Sequence, residues 1–247
     1  MRLFGHALLI LALTLLTQLG GLAWLAALRF RHKLMAFSLF YLLLFGGAMV
    51  VAPMTGRVAL PCTGGNFHMQ SPLYCLMNRH YVTPEMESVA KDAADQMSRD
   101  FPGTITLALD GNFPFFSGFP LIPHLSHSDG RKLDLAFYYR TPAGTYYPAK
   151  TRSPIGYWAF EGEAPSQCPP VWLTFRWGMD WLQPLWPDRP MDAARTAALV
   201  NQLAQDGRVS KLFVEPELVQ SLDIANPKLR FQGCRAARHD DHIHLQL

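Results

Sequence analysis

The 247-residue chain has no long run of Lys or Arg, no Cys-x-x-Cys pair, no Gly-x-Ser-x-Gly and no His-Glu-x-x-His. The first absence, with a formal net charge of only +3, removes support for a nucleic-acid partner. Without Cys-x-x-Cys there is no basis for a zinc knuckle or a thioredoxin-like redox site. The last two absences set aside the serine-hydrolase elbow and the helix-borne zinc-protease site. Ser88-Val89-Ala90-Lys91 matches the Ser-x-x-Lys of serine penicillin-binding enzymes, but its partner motifs are missing. Lys150-Thr151-Arg152, for example, departs from Lys-Thr-Gly at its last position. No internal repeat or low-complexity segment occurs.

What the chain has in excess is apolar sequence at its N-terminus. Residues 3–28 are interrupted only by His6, Thr14, Thr17, Gln18 and small residues, and a second apolar run covers 34–52. Each reaches the roughly 20 residues that cross about 30 Å of hydrocarbon as a helix. The expectation is a two-helix transmembrane hairpin over 1–56, meeting the lipid bilayer through 3–28 and 34–52. A buried hairpin of a soluble protein is the alternative. A cleaved signal peptide fits the first run poorly, since its flank is weakly basic and its apolar part too long. Cleavage after the second run stays open, although Pro53 follows directly. Arg29, Arg31 and Lys33 lie between the runs, so the positive-inside rule puts that loop in the cytoplasm and both chain ends outside. The expected location is the cytoplasmic (inner) membrane, with residues 57–247 forming a domain on its periplasmic side.

Cysteine usage agrees. Cys62, Cys75, Cys168 and Cys234 all fall in the external part, and an even number in an oxidising compartment suggests two disulfides. Three connectivities are possible; the expected one joins Cys62 to Cys75 and Cys168 to Cys234.

Within the domain, the Gly-, Pro- and Asn-rich residues up to 81 read as a linker packing on the rest. Residues 85–100 read as a helix, with Thr83 as N-cap and Pro84 at the first position. Met86, Val89, Ala90, Ala93 and Met97 make its apolar face. Residues 104–109, 132–139 and 209–214 read as strands. Residues 192–206 read as a helix capped by Asp192 and stopped by Gly207, and 216–222 as a short helix. The stretch 242–247 alternates strictly. Helices and strands without regular βαβ alternation predict an α+β fold with a mostly antiparallel sheet and flanking helices. The middle region holds Tyr157, Trp158, Trp172, Trp177, Trp181 and Trp186, which could line a groove but are expected as aromatic core.

Five of the nine histidines fall in two short pieces, His124–Asp134 and His239–His244. Zinc prefers imidazole and carboxylate, and catalytic zinc sites commonly use three protein ligands. On a strand, His242 and His244 share a face about 6.5 Å apart, so one can bind a metal while its neighbour acts as a base. These residues carry a family resemblance. Ser126-His127-x-x-Gly130-x-x-x-Asp134, followed by His239-Asp240-Asp241-His242-Ile243-His244, resembles the penicillin-insensitive murein endopeptidases. That family belongs to a wider group with lysostaphin-type enzymes, D-Ala-D-Ala metallopeptidases and the hedgehog signalling domain. The resemblance spans residues 101–247 and implies a hedgehog/D-Ala-D-Ala peptidase-like domain.

It further implies that His127, Asp134 and His244 are zinc ligands, His242 the base, and His239 a further catalytic-site histidine. His124 matches another histidine of the endopeptidase motif, at the site rim or on a second metal. The family's additional Asp-x-x-His pair has no counterpart here, so one Zn2+ is expected. Arg235 and Arg238 could pair with a substrate carboxylate, or be solvated. Gly130 is expected to permit the turn between His127 and the strand bearing Asp134. The expected substrate is peptidoglycan or its peptides, cut as an endopeptidase. A carboxypeptidase or dipeptidase acting on D-Ala-D-Ala is the nearest alternative, and a non-catalytic zinc-containing cell-wall binding module a different class. The presence of His242 beside His244 argues against the latter, since a binding site needs no base.

Overall fold

The computed structural model describes residues 2–162, 168, 176 and 179–247. Its centre is strand β8 (His242–Gln246), whose odd residues are apolar and even residues polar, as the sequence alternation predicts. It lies between β5 (Lys132–Ala136) and β6 (Lys211–Phe213), antiparallel to both. Outward from β5 come β4 (Thr106–Ala108) and β2 (Phe67–Met69), and outward from β6 comes β7 (Leu229–Arg230). Among the described residues this is a six-stranded sheet of order β2-β4-β5-β8-β6-β7. The fold is α+β, but the sheet is mixed rather than mostly antiparallel, because the edge pairs β2–β4 and β6–β7 are parallel. A small antiparallel pair, β1 (Val58–Ala59) with β3 (Tyr81–Val82), stands apart.

Register divides the sheet into two chemically different faces. Leu133, Leu135, Ile243 and Leu245 are fully buried on one face. Helices α5 (Pro84–Asp100) and α6 (Ala193–Gln205) supply Met86, Val89, Met97, Leu199 and Leu203 to the same core cluster. Helix α5 begins as expected: Pro84 opens it, and the Thr83 hydroxyl accepts from the Met86 amide at 3.3 Å. Asp192 caps α6 through the Arg195 amide. Gly207 is not the stop, because the helix ends on Asp206 in extended conformation. Pairing Asp134 with His244, and Ala136 with His242, places the polar side chains together on the opposite face.

Two expectations change. Residues 57–81 are more than a linker: they contribute β1, β2, a short helix α4 (Pro72–Leu76) and β3, and Phe67 and Met69 are buried in the core. Disulfides join Cys62 to Cys75 and Cys168 to Cys234. The first closes this segment on itself. The aromatic middle is the other change. Trp158 is partly buried against the core and Trp181 is 70% exposed, so the described tryptophans there are not core centres. Trp172 and Trp177 lie outside the described residues.

Among the described residues, one helix rather than two is long and apolar enough to cross a membrane, Lys33–Thr55, made of α3 (Lys33–Val51) and a 3-10 turn. The first apolar run breaks into α1 (Arg2–Thr17) and α2 (Gly20–Ala27). Gln18 adopts φ +64°, and its amide bonds both backbone groups of Phe115, at 2.6 Å and 2.9 Å. Gly21 then lets α2 fold back along α1, since a Cβ there would fall 1.9 Å from Thr14 Oγ1. Trp24 accordingly lies beside His6.

Candidate metal centre

Three elements bring the candidate residues together. Strands β5 and β8 present Asp134, His242 and His244 from adjacent positions. The loop after β4 carries His124 and His127 over them. His239 precedes β8 and is held by two contacts with Glu215, whose amide donates to the His239 carbonyl at 3.1 Å and whose carboxylate accepts from the His239 amide at 3.2 Å. All six side chains line one pocket, with Pro123, Leu125, Ser126, Gln232, Ala236 and Ala237 completing its walls. Apart from His124, each is buried.

The closest polar atoms form a triangle. His244 Nδ1 is 2.8 Å from Asp134 Oδ1 and 3.1 Å from His127 Nε2, and His127 Nε2 is 3.2 Å from Asp134 Oδ1. Tetrahedral zinc with bonds of about 2.05 Å has ligand–ligand edges of about 3.3 Å, so these donors stand close to the spacing such an ion demands. The orientation of His127 fits as well. Its Nδ1 lies 2.8 Å from the Gly111 carbonyl and must donate to it, which leaves Nε2 as the lone-pair nitrogen of the neutral ring. His124 enters from the other side, with Nδ1 3.3 Å from Asp134 Oδ2 and 3.0 Å from Asp110 Oδ2. His124, His127 and Asp134 therefore also form a group able to hold a metal ion. Cys62, Cys75 and His80 form another such group by position, but both its sulfurs are in the disulfide.

His242 lies beside the triangle. Its Nε2 is 3.7 Å from Asp134 Oδ1, and its Nδ1 is bonded to Asp241, whose other oxygen accepts from the Trp158 amide at 2.5 Å. His239 meets the rings of Phe213 and His242 at a tilt and that of His244 edge-on, and its buried Nδ1 has no hydrogen-bond partner. A buried imidazole nitrogen without a partner, on a side chain that lines the pocket, is a group able to take up a ligand there.

Charge within the cluster is governed by burial first. Burial raises the Asp134 pKa, but His127 and His242 outweigh it and hold the carboxyl well below its usual range. Burial pushes His244 down to about 4 and His239 well below the usual imidazole value. For His242, burial also lowers the pKa, but Asp134 and Asp241 more than offset it and lift it to about 9. A dication on Asp134 would reverse that balance, because it cancels the carboxylate's pull and repels imidazolium.

Several supporting residues carry no motif. Tyr157 donates to Asp134 Oδ2 at 2.7 Å and accepts from the Asp110 amide at 3.1 Å, fixing the carboxylate that the histidines face. Arg79 clamps Asp110 through two bonds of 2.5 Å and 2.7 Å and holds the Ile122 carbonyl at 2.9 Å. Gly111 approaches the Arg79–Tyr81 backbone so closely that a Cβ would fall 3.0 Å from the Tyr81 oxygen. Gly130 has φ +75° and packs on the Arg57 guanidinium, as its expected role at the turn requires.

The two candidate arginines are placed differently. Arg238 pairs with Asp240 and Asp180 and covers the Phe160 ring at 3.5 Å, in a neighbouring pocket lined by Tyr157, Trp158 and Asp241. Arg235 is exposed and does not line either pocket. No protein-family model matches this chain, and no curated protein matches it.

Proposed function

We propose that this chain is a membrane-anchored zinc hydrolase that cuts peptide bonds in peptidoglycan stem peptides or cross-links, in the manner of a murein D,D-endopeptidase. The observation that carries the reading is the convergence of His127 Nε2, Asp134 Oδ1 and His244 Nδ1 within 3.2 Å of one another, with His242 beside them. Such a donor set would hold one Zn2+. Zinc supplies Lewis acidity there, acidifying water toward a pKa of about 7 and polarising a carbonyl.

The protein's own groups do the rest. Asp241 fixes the His242 tautomer by accepting from Nδ1, so Nε2 faces the pocket as the proton acceptor. Tyr157 orients Asp134, and Gly111 orients His127. The buried histidines exclude bulk water and strengthen each electrostatic contact. Helix α3 supplies the anchor, and the two disulfides fit a domain on the periplasmic side of the cytoplasmic membrane. Peptidoglycan sacculi incubated with the zinc-loaded full chain in detergent, and analysed by mass, should release fragments cut at D-Ala-containing cross-links. Loss of terminal D-Ala alone would point to a carboxypeptidase, and unchanged sacculi would remove the substrate assignment.

A further inference from the structure

The anchor does not merely lead into the domain; it lies along it. Helix α3 has 19 residues, about 28 Å at 1.5 Å per residue, which matches a hydrocarbon core of about 30 Å. Its flanking charges are Lys33 at one end and Arg57 beyond the other. Exposed apolar side chains run its whole length, from Leu34 and Leu39 through Leu43 to Val50. Yet the domain already touches α3 at its middle. Tyr41 donates to the Leu76 carbonyl at 2.5 Å and accepts from Asn78 at 3.2 Å. Phe45 then stacks on His80, and Ala48 and Ala52 pack with Tyr81. A bilayer deep enough to cover α3 must therefore take in the part of the domain that flanks its second half.

Residues 58–78 and 111–128 contain no Asp, Glu, Lys or Arg. On α4, Leu73 and Leu76 are about half exposed, and on the loop after β4 Phe116 is 75% exposed, with Ile122 and Leu125 also open. Gln18 ties the backbone of Phe115 to the bend between α1 and α2, which fixes this loop to the helices. The same loop continues into Pro123, His124, Leu125 and His127, one wall of the metal-facing pocket.

We propose that α4 and the loop over residues 113–125 are seated in the outer lipid leaflet beside α3. The pocket then opens at the lipid surface and takes a peptide carried on a membrane-held lipid, in preference to one free in solution. The seating stands on the geometry alone; the substrate class rests on the hydrolase reading given above. Phe115 packs in the same cluster as Tyr41 of α3, and Tyr41 bonds the Leu76 carbonyl of α4, so loop, α4 and helix meet beside one another, and a bilayer is the occupant that α3 already requires.

The test uses the full chain in vesicles of phosphatidylethanolamine and phosphatidylglycerol. Nitroxide labels are placed by Leu76→Cys, Phe116→Cys, Leu43→Cys in α3 and Lys91→Cys on the charged face of α5. Labels at 76 and 116 should follow the one at 43, reached by oxygen and shielded from an aqueous nickel chelate. Labels at 76 and 116 that behave like 91 would overturn the seating. A short D-Ala-containing peptide is then compared in free and lipid-tethered form. Confinement to one surface should raise the turnover of the tethered form by about 10²-fold or more, and Phe116→Asp should erase that gain while leaving the free peptide's turnover unchanged. Equal turnover of both forms would overturn the substrate class. Absence of any cleavage, with 76 and 116 in lipid, would remove the hydrolase reading and the substrate class with it, and leave the seating established.

Discussion

The sheet wall of the pocket places its side chains by strand register, whereas the loop wall places them by contacts from distant parts of the chain. Asp134, His242 and His244 sit on neighbouring strands, so pairing Asp134 with His244 determines where all three point. The ladder that does this is backed by Leu133, Leu135, Ile243 and Leu245, each fully buried. His124 and His127 have no such ladder. Their loop is held by Arg79 on Asp110 and on the Ile122 carbonyl, by the Gly111 carbonyl on His127, and by Gln18 on Phe115. Register is cooperative and hard to deform locally; a set of single polar contacts can be removed one at a time. Substitutions should therefore act all-or-none on the sheet wall and in graded steps on the loop wall.

The largest effect is expected at Asp134, which faces His124, His127, His242 and His244. Asp134→Ala should take zinc from about one per chain to none, read by metal analysis of the purified protein, because three protein ligands are the usual minimum. Retention of full zinc would show that the loop wall holds the metal without the sheet. Next is His242→Ala. With the neighbouring ligands intact, zinc should stay while turnover falls by about 10² to 10⁴, the usual contribution of a general base.

The pH profile of the unmodified protein belongs to the same comparison. In the protein alone His242 is lifted to about 9, so it would act as a base only in alkaline solution. Zinc on Asp134 should pull that value down, so the rise in turnover with pH should occur below 9 in the zinc form. An activity limb still centred near 9 with zinc bound would mean that Asp134 is not screened by the metal.

On the loop wall, Arg79→Ala leaves the buried Asp110 with His124 beside it but without its guanidinium, and should cost about 3–5 kcal/mol in unfolding free energy by denaturant titration. It should also slacken His124 and His127. A cost close to zero would show that the loop wall is held by backbone pairing alone. The smallest effect is expected for Tyr157→Phe, which removes one hydroxyl from Asp134 and should weaken zinc binding by about 10- to 100-fold without unfolding the domain. Unchanged affinity would make Tyr157 a packing residue.

The same division explains what could be read from the sequence. The alternation of residues 242–246 and the Thr83-Pro84 start of α5 are local signals, and both elements form where the pattern places them. The gathering of His124, His127, Asp134, His239, His242 and His244 into one pocket was legible from the two motifs. Asp134's partner Tyr157 was not, because it carries no motif and lies 23 residues away. Nor was the break at Gln18, whose partner is 97 residues distant. Hydropathy counted residues 3–28 as one span, since a residue with φ +64° and two following glycines barely alters composition. Strand β2 hid in a Gly-rich stretch because only three residues pair, and they pair in parallel with β4 far along the chain.

Two donor sets share His127 and Asp134: one is completed by His244 from the sheet wall, the other by His124 from the loop wall. Zinc content of His244→Ala and His124→Ala, measured side by side on the purified full chain, separates them. The account predicts that His244→Ala is empty of zinc and that His124→Ala keeps about one per chain. An empty His124→Ala beside a zinc-filled His244→Ala would contradict it.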